Sequence, residues 1–258
     1  MHVLVTGAAG GMGKAICRRL RDAGYTVYGI DRKAEDGIFY CDVTDETSVL
    51  DAFAKISAET DRLDAIVHTA GIYDLDSLLE MDEARFSRIL EVNLAGVYRV
   101  NKAFLPLLHA GSRIVITTSE LAPLDPLPFT GVYAMTKAAL EKYAFSLRME
   151  LRLLGISVSV LRPGAVQTDL LGDSTAALDR FCAHTKLYRC NAERFKQIVD
   201  SVEAKNVSPA RVADLALRAL TARRPKYVYN LNRNPLLRLL SLLPDRLQVA
   251  IICKILQK

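Results

Sequence analysis

The stretch Thr6-Gly7-Ala8-Ala9-Gly10-Gly11-Met12-Gly13 stands between an apolar run, Val3-Leu4-Val5, and a helical pattern that begins near Lys14. No other feature restricts the fold of this chain as strongly. A short β-branched run, a glycine-rich turn and then a 3.6-residue periodicity describe a strand that passes directly into a helix. Such a unit belongs to a parallel sheet, because the helix carries the chain back before the next strand begins. Gly7 permits the tight turn, Gly11 a close approach to the backbone, and Gly13 the packing of helix on strand. Ala15, Ile16 and Leu20 supply the apolar face of that helix.

The rest of the chain repeats the alternation. Strand-like segments fall at 2–6, 25–30, 38–41, 64–68, 112–118, 156–161 and 226–229, and patterns of helical length at 12–23, 46–59, 77–109, 132–154 and 209–222. Apolar strands such as Ile114-Val115-Ile116 and Val158-Ser159-Val160-Leu161 predict a sheet covered on both faces. The expectation is one α/β domain over 1–230, a doubly wound parallel sheet with helices on both faces. A chain of 258 residues, 50% of them hydrophobic, suffices for its core. The stretch 169–207 breaks the rhythm with polar and small residues. After a late strand it would lie at the carboxyl side of the sheet, where ligands bind.

A glycine-rich turn at the first strand–helix junction lets backbone N–H groups approach a pyrophosphate, which the positive end of the helix dipole stabilises. Asp31 ends the second strand, 18 positions after Gly13. A carboxylate there accepts hydrogen bonds from both adenosine ribose hydroxyls and repels a 2′-phosphate, which favours NAD(H). Arg32 and Lys33 follow directly and would pair with a 2′-phosphate, so NADP(H) is the second candidate. Asp42-Val43, after the strand at 38–41, is placed to meet the adenine; a helix cap at Asp42 is the competing reading.

Tyr133 and Lys137 lie four residues apart on a helical pattern and so share one face. An ammonium close to a phenol favours phenolate and lowers a tyrosine pKa that is ordinarily about 10. A tyrosine tuned in this way exchanges protons near neutral pH, as carbonyl reduction or alcohol oxidation requires.

Together these motifs resemble the short-chain dehydrogenase/reductase family, in its shorter class rather than its longer sugar-nucleotide class. The resemblance spans about residues 1–168. It rests on Thr6-Gly7-x-x-x-Gly11-x-Gly13, on Asn93 in Glu91-Val92-Asn93-Leu94-Ala95-Gly96 and on Ser119 at the end of Ile114–Ser119. It is completed by Tyr133-x-x-x-Lys137 and by Pro163-Gly164-Ala165-Val166-Gln167-Thr168. It implies a Rossmann-type fold and an NAD(P)-dependent oxidoreductase that interconverts a secondary alcohol and a ketone. Tyr133 would be the general acid/base, Lys137 would lower its pKa and hold the nicotinamide ribose, and Ser119 would hydrogen-bond the substrate oxygen. Asn93 would position a water behind Lys137. Pro163, Gly164, Val166 and Thr168 would hold the nicotinamide, with Met12 joining the glycines and Ala70-Gly71 giving backbone contacts. Two departures stand out. The family's Asn-Asn-Ala-Gly is His68-Thr69-Ala70-Gly71 here, without the bracing asparagines. Ser119 lies 14 residues before Tyr133, one more than is usual, which predicts an insertion in the proline-broken loop 122–129; otherwise Thr118 is the competing hydroxyl.

Other function classes compete. A dinucleotide-binding redox-sensing regulator or scaffold would have no use for all of Asn93, Ser119, Tyr133 and Lys137. A nucleotide-sugar epimerase or dehydratase would need a substrate domain for which the chain has no room. The insertion 169–207 is expected as a lid lined by Leu170, Leu171, Leu178, Phe181, Leu187, Tyr188 and Phe195, with the loop Leu121–Phe129. That apolar lining suits a steroid-, retinoid- or lipid-like alcohol or ketone.

Charge separates the body from the tail. Residues 209–258 carry ten basic side chains against two acidic ones, an excess that leaves the first 208 residues at −3 within a net charge of +5. This pattern argues against a nucleic-acid surface and marks the tail as a separate interaction element. Residues 231–258 form a basic, leucine-rich amphipathic tail. Packing on its own chain or a twin subunit, a lid over the substrate entrance, and contact of 235–258 with an anionic membrane surface are its three readings. The five cysteines include no C-x-x-C pair, so neither a disulfide framework nor a metal site is expected. The expected setting is cytoplasmic, without a signal peptide and with peripheral membrane contact as the alternative, and the expected assembly a homodimer or homotetramer.

Overall fold

β1 (His2–Thr6) lies at the middle of the sheet, paired on one side with β2 (Thr26–Asp31) and on the other with β4 (Leu63–His68). β3 (Ile38–Tyr40) extends the sheet beyond β2. β5 (Leu108–Thr117), β6 (Ser157–Pro163) and β7 (Val228–Leu231) extend it beyond β4. All pairs are parallel, in the order β3-β2-β1-β4-β5-β6-β7. The computed structural model describes residues 1–35, 37–203 and 206–257, with side chains outside 169–173 and 201–203.

Each strand is apolar on both sides because helices cover both faces. Val3, Val5, Ala65, Val67 and Val115 face α1 (Gly11–Asp22) and α8 (Pro209–Thr221), meeting Ile16, Leu20, Val212 and Ala216. Leu4, Ile30 and Ile66 face α2 (Glu46–Ser57) and α4 (Gly96–Phe104). Ile114, Ile116, Val158 and Val160 pack on α5 (Gly131–Arg152). The expected doubly wound α/β architecture is what the chain adopts. The strand order reverses between β1 and β4, and this switch point opens a crevice at the carboxyl ends of the strands.

The helical pattern at 77–109 is not one helix. It divides into α3 (Glu83–Leu90), capped by Asp82, a π-helical turn at Glu91–Ala95, then α4 and a 3₁₀ turn at Leu105–Leu107. Gly96 follows the π turn, and a Cβ there would lie 2.7 Å from Val43 Cγ2. Val43 thus packs beneath α4. Asp42 does not cap α2: Asp45 does, accepting from Thr47 N. Asp42 Oδ1 instead accepts from the N–H and hydroxyl of Thr44.

His68-Thr69 braces the sheet with a different set of bonds from paired asparagines. Thr69 Oγ1 donates to Thr6 O at 2.6 Å, and Thr6 Oγ1 accepts from the N–H groups of Thr69 and Ala70. His68 Nε2 lies 2.8 Å from Asn101 Oδ1, and Asn101 Nδ2 donates to Tyr143 Oη. Burial pushes the His68 pKa down to about 4, against the opposing bond to Asn101. The unfolded chain therefore binds a proton between pH 6.5 and 4 that the folded chain excludes, so stability falls as pH falls through that window. The loss attributable to His68 is about 3 kcal/mol. Urea denaturation at pH 7 and pH 4.5 should show a smaller pH-dependent loss for His68→Gln than for the wild type; equal losses would remove His68 as the cause.

The stretch 169–207 is more ordered than its composition suggests. It forms α6 (Asp169–His184) and α7 (Arg189–Glu203), which share a small core of Leu178, Phe181, Ala192 and Phe195 with Leu75 and Phe129. The tail forms α9 (Pro235–Leu240) and α10 (Asp245–Leu256). α10 sits on this unit through Leu256 and through Asn191 Nδ2 donating to Leu256 O, and Gln248 Nε2 ties it to Asp125 in the loop before α5. Leu236, Leu239 and Leu242 face outward, 71%, 61% and 80% exposed. Among the described residues, no helix is long and apolar enough to cross a membrane.

Candidate active site

The crevice at the switch point is a cavity of about 360 Å³. At one end it is walled by the β1–α1 turn, with Gly7, Gly11, Met12 and Gly13, and by Gly71 after β4. Ser119, Tyr133 and Lys137 form another part of the wall, and Pro163, Gly164, Val166 and Thr168 complete it.

The glycines form a cradle that side chains would fill. Gly7 has φ +68°, and a Cβ on it would lie 2.6 Å from Ala70 N. A Cβ on Gly11 would lie 2.9 Å from the side chain of Thr168, and one on Gly13 would collide with the carbonyl oxygen of Gly7. Gly10 caps α1 and has no side chain to occupy the orphan N–H groups of the first turn. Thr117 Oγ1, on the same cavity wall, is buried without a partner among the described residues. A bare cradle at a helix start, with unspent hydrogen-bonding groups, fits a nicotinamide dinucleotide with its pyrophosphate at Gly10–Gly13. Asp31, at the end of β2, accepts from Ala9 N at 3.1 Å and from Lys33 N at 3.0 Å. Its carboxylate is thereby fixed beside the cradle, while Arg32 is exposed. Burial raises the pKa of Asp42, but the Thr44 bonds together with Arg32 and Arg88 outweigh it and hold the carboxyl below its usual range. Neither Asp42 nor Val43 lines the cavity.

Tyr133 is 8% and Lys137 5% exposed on α5. The Lys137 ammonium lies 5.6 Å from the Tyr133 ring centroid and donates to Thr117 O at 3.3 Å. The pair shares a face as expected, but burial dominates its electrostatics. It pushes the Tyr133 phenol up to about 12, opposed by a hydrogen bond with Ser119, and the Lys137 ammonium down to about 8. The expected lowering of the tyrosine pKa is not what the protein alone produces. The phenol is held protonated, as a proton donor to a carbonyl must be.

In the loop between Ser119 and α5, Phe129 takes a left-handed backbone conformation with φ +66°. Ser119 Oγ accepts from Leu121 N, whereas Thr118 Oγ1 is committed to Leu161 O. Ser119 is therefore the hydroxyl that meets Tyr133. Asn93, fully buried in the π turn, braces the loop after β4. Its Oδ1 accepts from Ile72 N at 2.8 Å, and its Nδ2 donates to Ile72 O and to Thr136 Oγ1. This clamp sets Gly71, where a Cβ would fall 3.5 Å from Lys137 Nζ.

The lid lining matches expectation at Phe195 and, in the loop before α5, at Leu121 and Leu127, and differs elsewhere. Phe195 lines the cavity with Ile198 and Val199, and α9 adds Leu237. Leu178 and Phe181 point instead into the core shared with Phe129, Tyr188 packs against that core, and Leu187 is 63% exposed. The side chains of Leu170 and Leu171 lie outside the described residues.

Glu120 also lines the cavity, and its only sequence signal is a charge next to Ser119. Its Oε2 accepts from Asn234 N at 2.6 Å, and its backbone N–H donates to Pro163 O. Burial raises its pKa, opposed by the Asn234 bond and by Arg233. This buried carboxylate ties the start of the tail to the loop that carries Ser119. The tail therefore forms part of the cavity wall.

The short chain dehydrogenase family model matches residues 1–179. A 3-ketodihydrosphingosine reductase of Bacteroides thetaiotaomicron is 26% identical over 231 residues, covering 87% of this chain and 85% of that protein. Estradiol 17-beta-dehydrogenase 2 of Mus musculus is 33% identical over 189 residues, 66% of this chain but only 49% of that protein. The chain thus spans about half the length of that relative. Among solved structures, a short-chain dehydrogenase from Streptomyces avermitilis superposes with a TM-score of 0.76 at 25% identity, covering 89% of this chain and 86% of the other.

Proposed function

Since the chain belongs to the short-chain dehydrogenase family, whose members are NAD(H)- or NADP(H)-dependent oxidoreductases acting on CH–OH groups, we propose that it interconverts a hydrophobic secondary alcohol and its ketone. The observation that carries this reading is the convergence of Ser119, Tyr133 and Lys137 in one crevice continuous with the glycine cradle. A bound nicotinamide supplies or accepts the hydride. Tyr133 Oη gives its proton to the carbonyl oxygen, and Ser119 Oγ donates a hydrogen bond to the same oxygen as charge grows on it. Lys137, while protonated, stabilises the phenolate left behind. Asn93 holds Gly71 and Ile72 in place, and Pro163, Gly164, Val166 and Thr168 shape the wall against the nicotinamide.

The apolar wall of Phe195, Ile198, Val199 and Leu237 supports a steroid-, retinoid- or lipid-like substrate. The names of two relatives point the same way, one a ketodihydrosphingosine reductase and one an estradiol dehydrogenase. Steady-state assays across sterol, long-chain and small polar ketones test this, and a preference for the small polar ones would sink it. The outward Leu236 and Leu239 of α9, with Arg238 on the same helix, support peripheral contact with an anionic membrane as an alternative to a purely cytoplasmic setting. Exposed Tyr98 and Leu105 near α4 support a homodimer or homotetramer.

Asp31 supports NAD(H) as the preferred cofactor. Its carboxylate would be lost to ribose hydroxyls, and its repulsion of a 2′-phosphate relieved, in Asp31→Ala. A hydrogen bond to a charged group is worth about 1.5–3 kcal/mol. The ratio of kcat/KM for NADH over NADPH should thus fall by roughly 10- to 100-fold. A wild type that prefers NADPH would overturn this assignment.

A further inference from the structure

The active-site cavity lies at the carboxyl ends of the strands, and at the opposite end there is a second concavity. It is a groove of about 810 Å³ lined by five arginines, Arg113, Arg148, Arg152, Arg223 and Arg224, and by no carboxylate. Its place follows from the topology. Arg113 stands on β5 opposite Ser157, the first residue of β6. Arg148 and Arg152 lie one turn apart near the end of α5, and Arg223 and Arg224 follow the end of α8.

Some arginines elsewhere in the chain pair with acids, Arg19 with Asp214, Arg85 with Asp74 and Asp76, Arg99 with Glu91, Arg162 with Glu141 and Arg180 with Asp74. None of the five in the groove has an ion pair among the described residues. Two of them are nonetheless fixed in place. Arg113 Nη1 donates to Ala219 O at 2.9 Å, while Arg148 donates to Val158 O and lies over the Tyr227 ring at 5.3 Å. A single hydrogen bond leaves the rest of each guanidinium fork unspent. The ends of α5 and α8 offset part of this positive charge with their dipoles, which lets the cluster stand without acids. The remaining charge converges on open space flanked by the apolar surfaces of Phe145, Met149 and Pro225. Arg223 and Arg224 also belong to the basic excess of the last fifty residues, which the reaction does not use.

We propose that this groove binds a phosphate-bearing small molecule. Planar guanidinium forks match phosphate oxygens in bidentate geometry, and several converging on one space select a ligand with at least two negative charges. A phospholipid headgroup offers the same chemistry. The outward leucines of α9 flank the opposite end of the sheet, so a membrane held there would not reach the groove, which favours a free ligand.

The test uses the full-length protein saturated with NADH, so that the glycine cradle is not available to the probe. Calorimetric titration with inorganic pyrophosphate should show saturable binding, weakened about tenfold or more in Arg152→Gln/Arg223→Gln/Arg224→Gln. Ketone reduction should be unchanged in that variant, since none of the three side chains lines the active-site cavity. In a parallel arm, flotation with phosphatidic acid vesicles compares the same two proteins. Flotation lost in the variant, with no pyrophosphate binding by the wild type, would assign the phosphate to a headgroup and still support the groove. Binding in neither arm, or binding undiminished in the variant, would overturn it. Because reduction does not depend on the groove, a failure here is separable from a failure of the oxidoreductase reading.

Discussion

Tyr133→Phe should reduce kcat for ketone reduction by roughly 10²- to 10⁴-fold, the range for loss of a positioned general acid. The substitution removes one oxygen from a ring that packs at 4.7 Å from Tyr73 and lies within the cluster of Ile89 and Val132. The ring and its packing survive, so the fold and the dinucleotide affinity should change far less than the rate. That split separates loss of a proton donor from collapse of the site. The pH dependence carries a second, independent sign. Burial raises the Tyr133 pKa to about 12, so the phenol is protonated throughout the neutral range and reduction has its acid ready. Burial lowers the Lys137 pKa to about 8, so its positive charge is present below that pH and lost above it. Reduction should therefore decline as pH rises through about 8, with the decline absent in Lys137→Arg, whose charge persists. A pH–kcat profile in the reductive direction measures this. A rate that climbs through the same window would contradict the role given to Lys137.

The second large effect is expected at Gly13→Ala. A Cβ there meets three backbone atoms, Gly7 O, Gly7 C and Ala8 Cα, the last at 2.9 Å. No side chain can rotate away, so the β1–α1 turn must open. Overpacking against rigid neighbours costs about 1–3 kcal/mol. At the upper end of that range, NADH affinity falls by about 10²-fold. Gly10→Ala is the internal control for the fold. Its Cβ would meet Gly7 O at 3.4 Å, and Gly10 has φ −81°, which any residue adopts. NADH fluorescence titration beside thermal denaturation separates the two variants. Equal affinities for Gly13→Ala and wild type would mean that the turn is not the phosphate cradle.

The positions of β1, β2 and β4 were legible because a buried parallel strand is a short β-branched run between turn residues, and each such run here has little else to become. The Gly7–Gly13 turn and the Tyr133–Lys137 pair were legible because each is a local geometry: a conformation that only glycine permits, and one face of a helix. Effects that depend on distant segments were not. The π turn at Asn93 follows from its side chain reaching Ile72, 21 residues earlier, and nothing in Glu91–Ala95 announces that contact. The direction of the Tyr133 pKa depends on how deeply α5 is buried, which spacing does not report. α6 and α7 were hidden because their apolar faces are satisfied by Leu75 and Phe129 rather than by the main sheet. Glu120 is the clearest case. Its partner is a backbone N–H 114 residues away, so only the folded chain reveals that the tail is fastened to the loop that carries Ser119.

Hydride transfer in this cavity from a nicotinamide to a carbonyl carbon, with Tyr133 handling the proton, leaves an isotopic signature. It is read by reducing a hydrophobic ketone with dinucleotide deuterated at nicotinamide C4, on the transferred face. The expected alcohol is one mass unit heavier, with the label on the former carbonyl carbon, and is formed far more slowly by Tyr133→Phe. An alcohol whose new C–H comes from solvent, or undiminished label transfer by Tyr133→Phe, would contradict the claim.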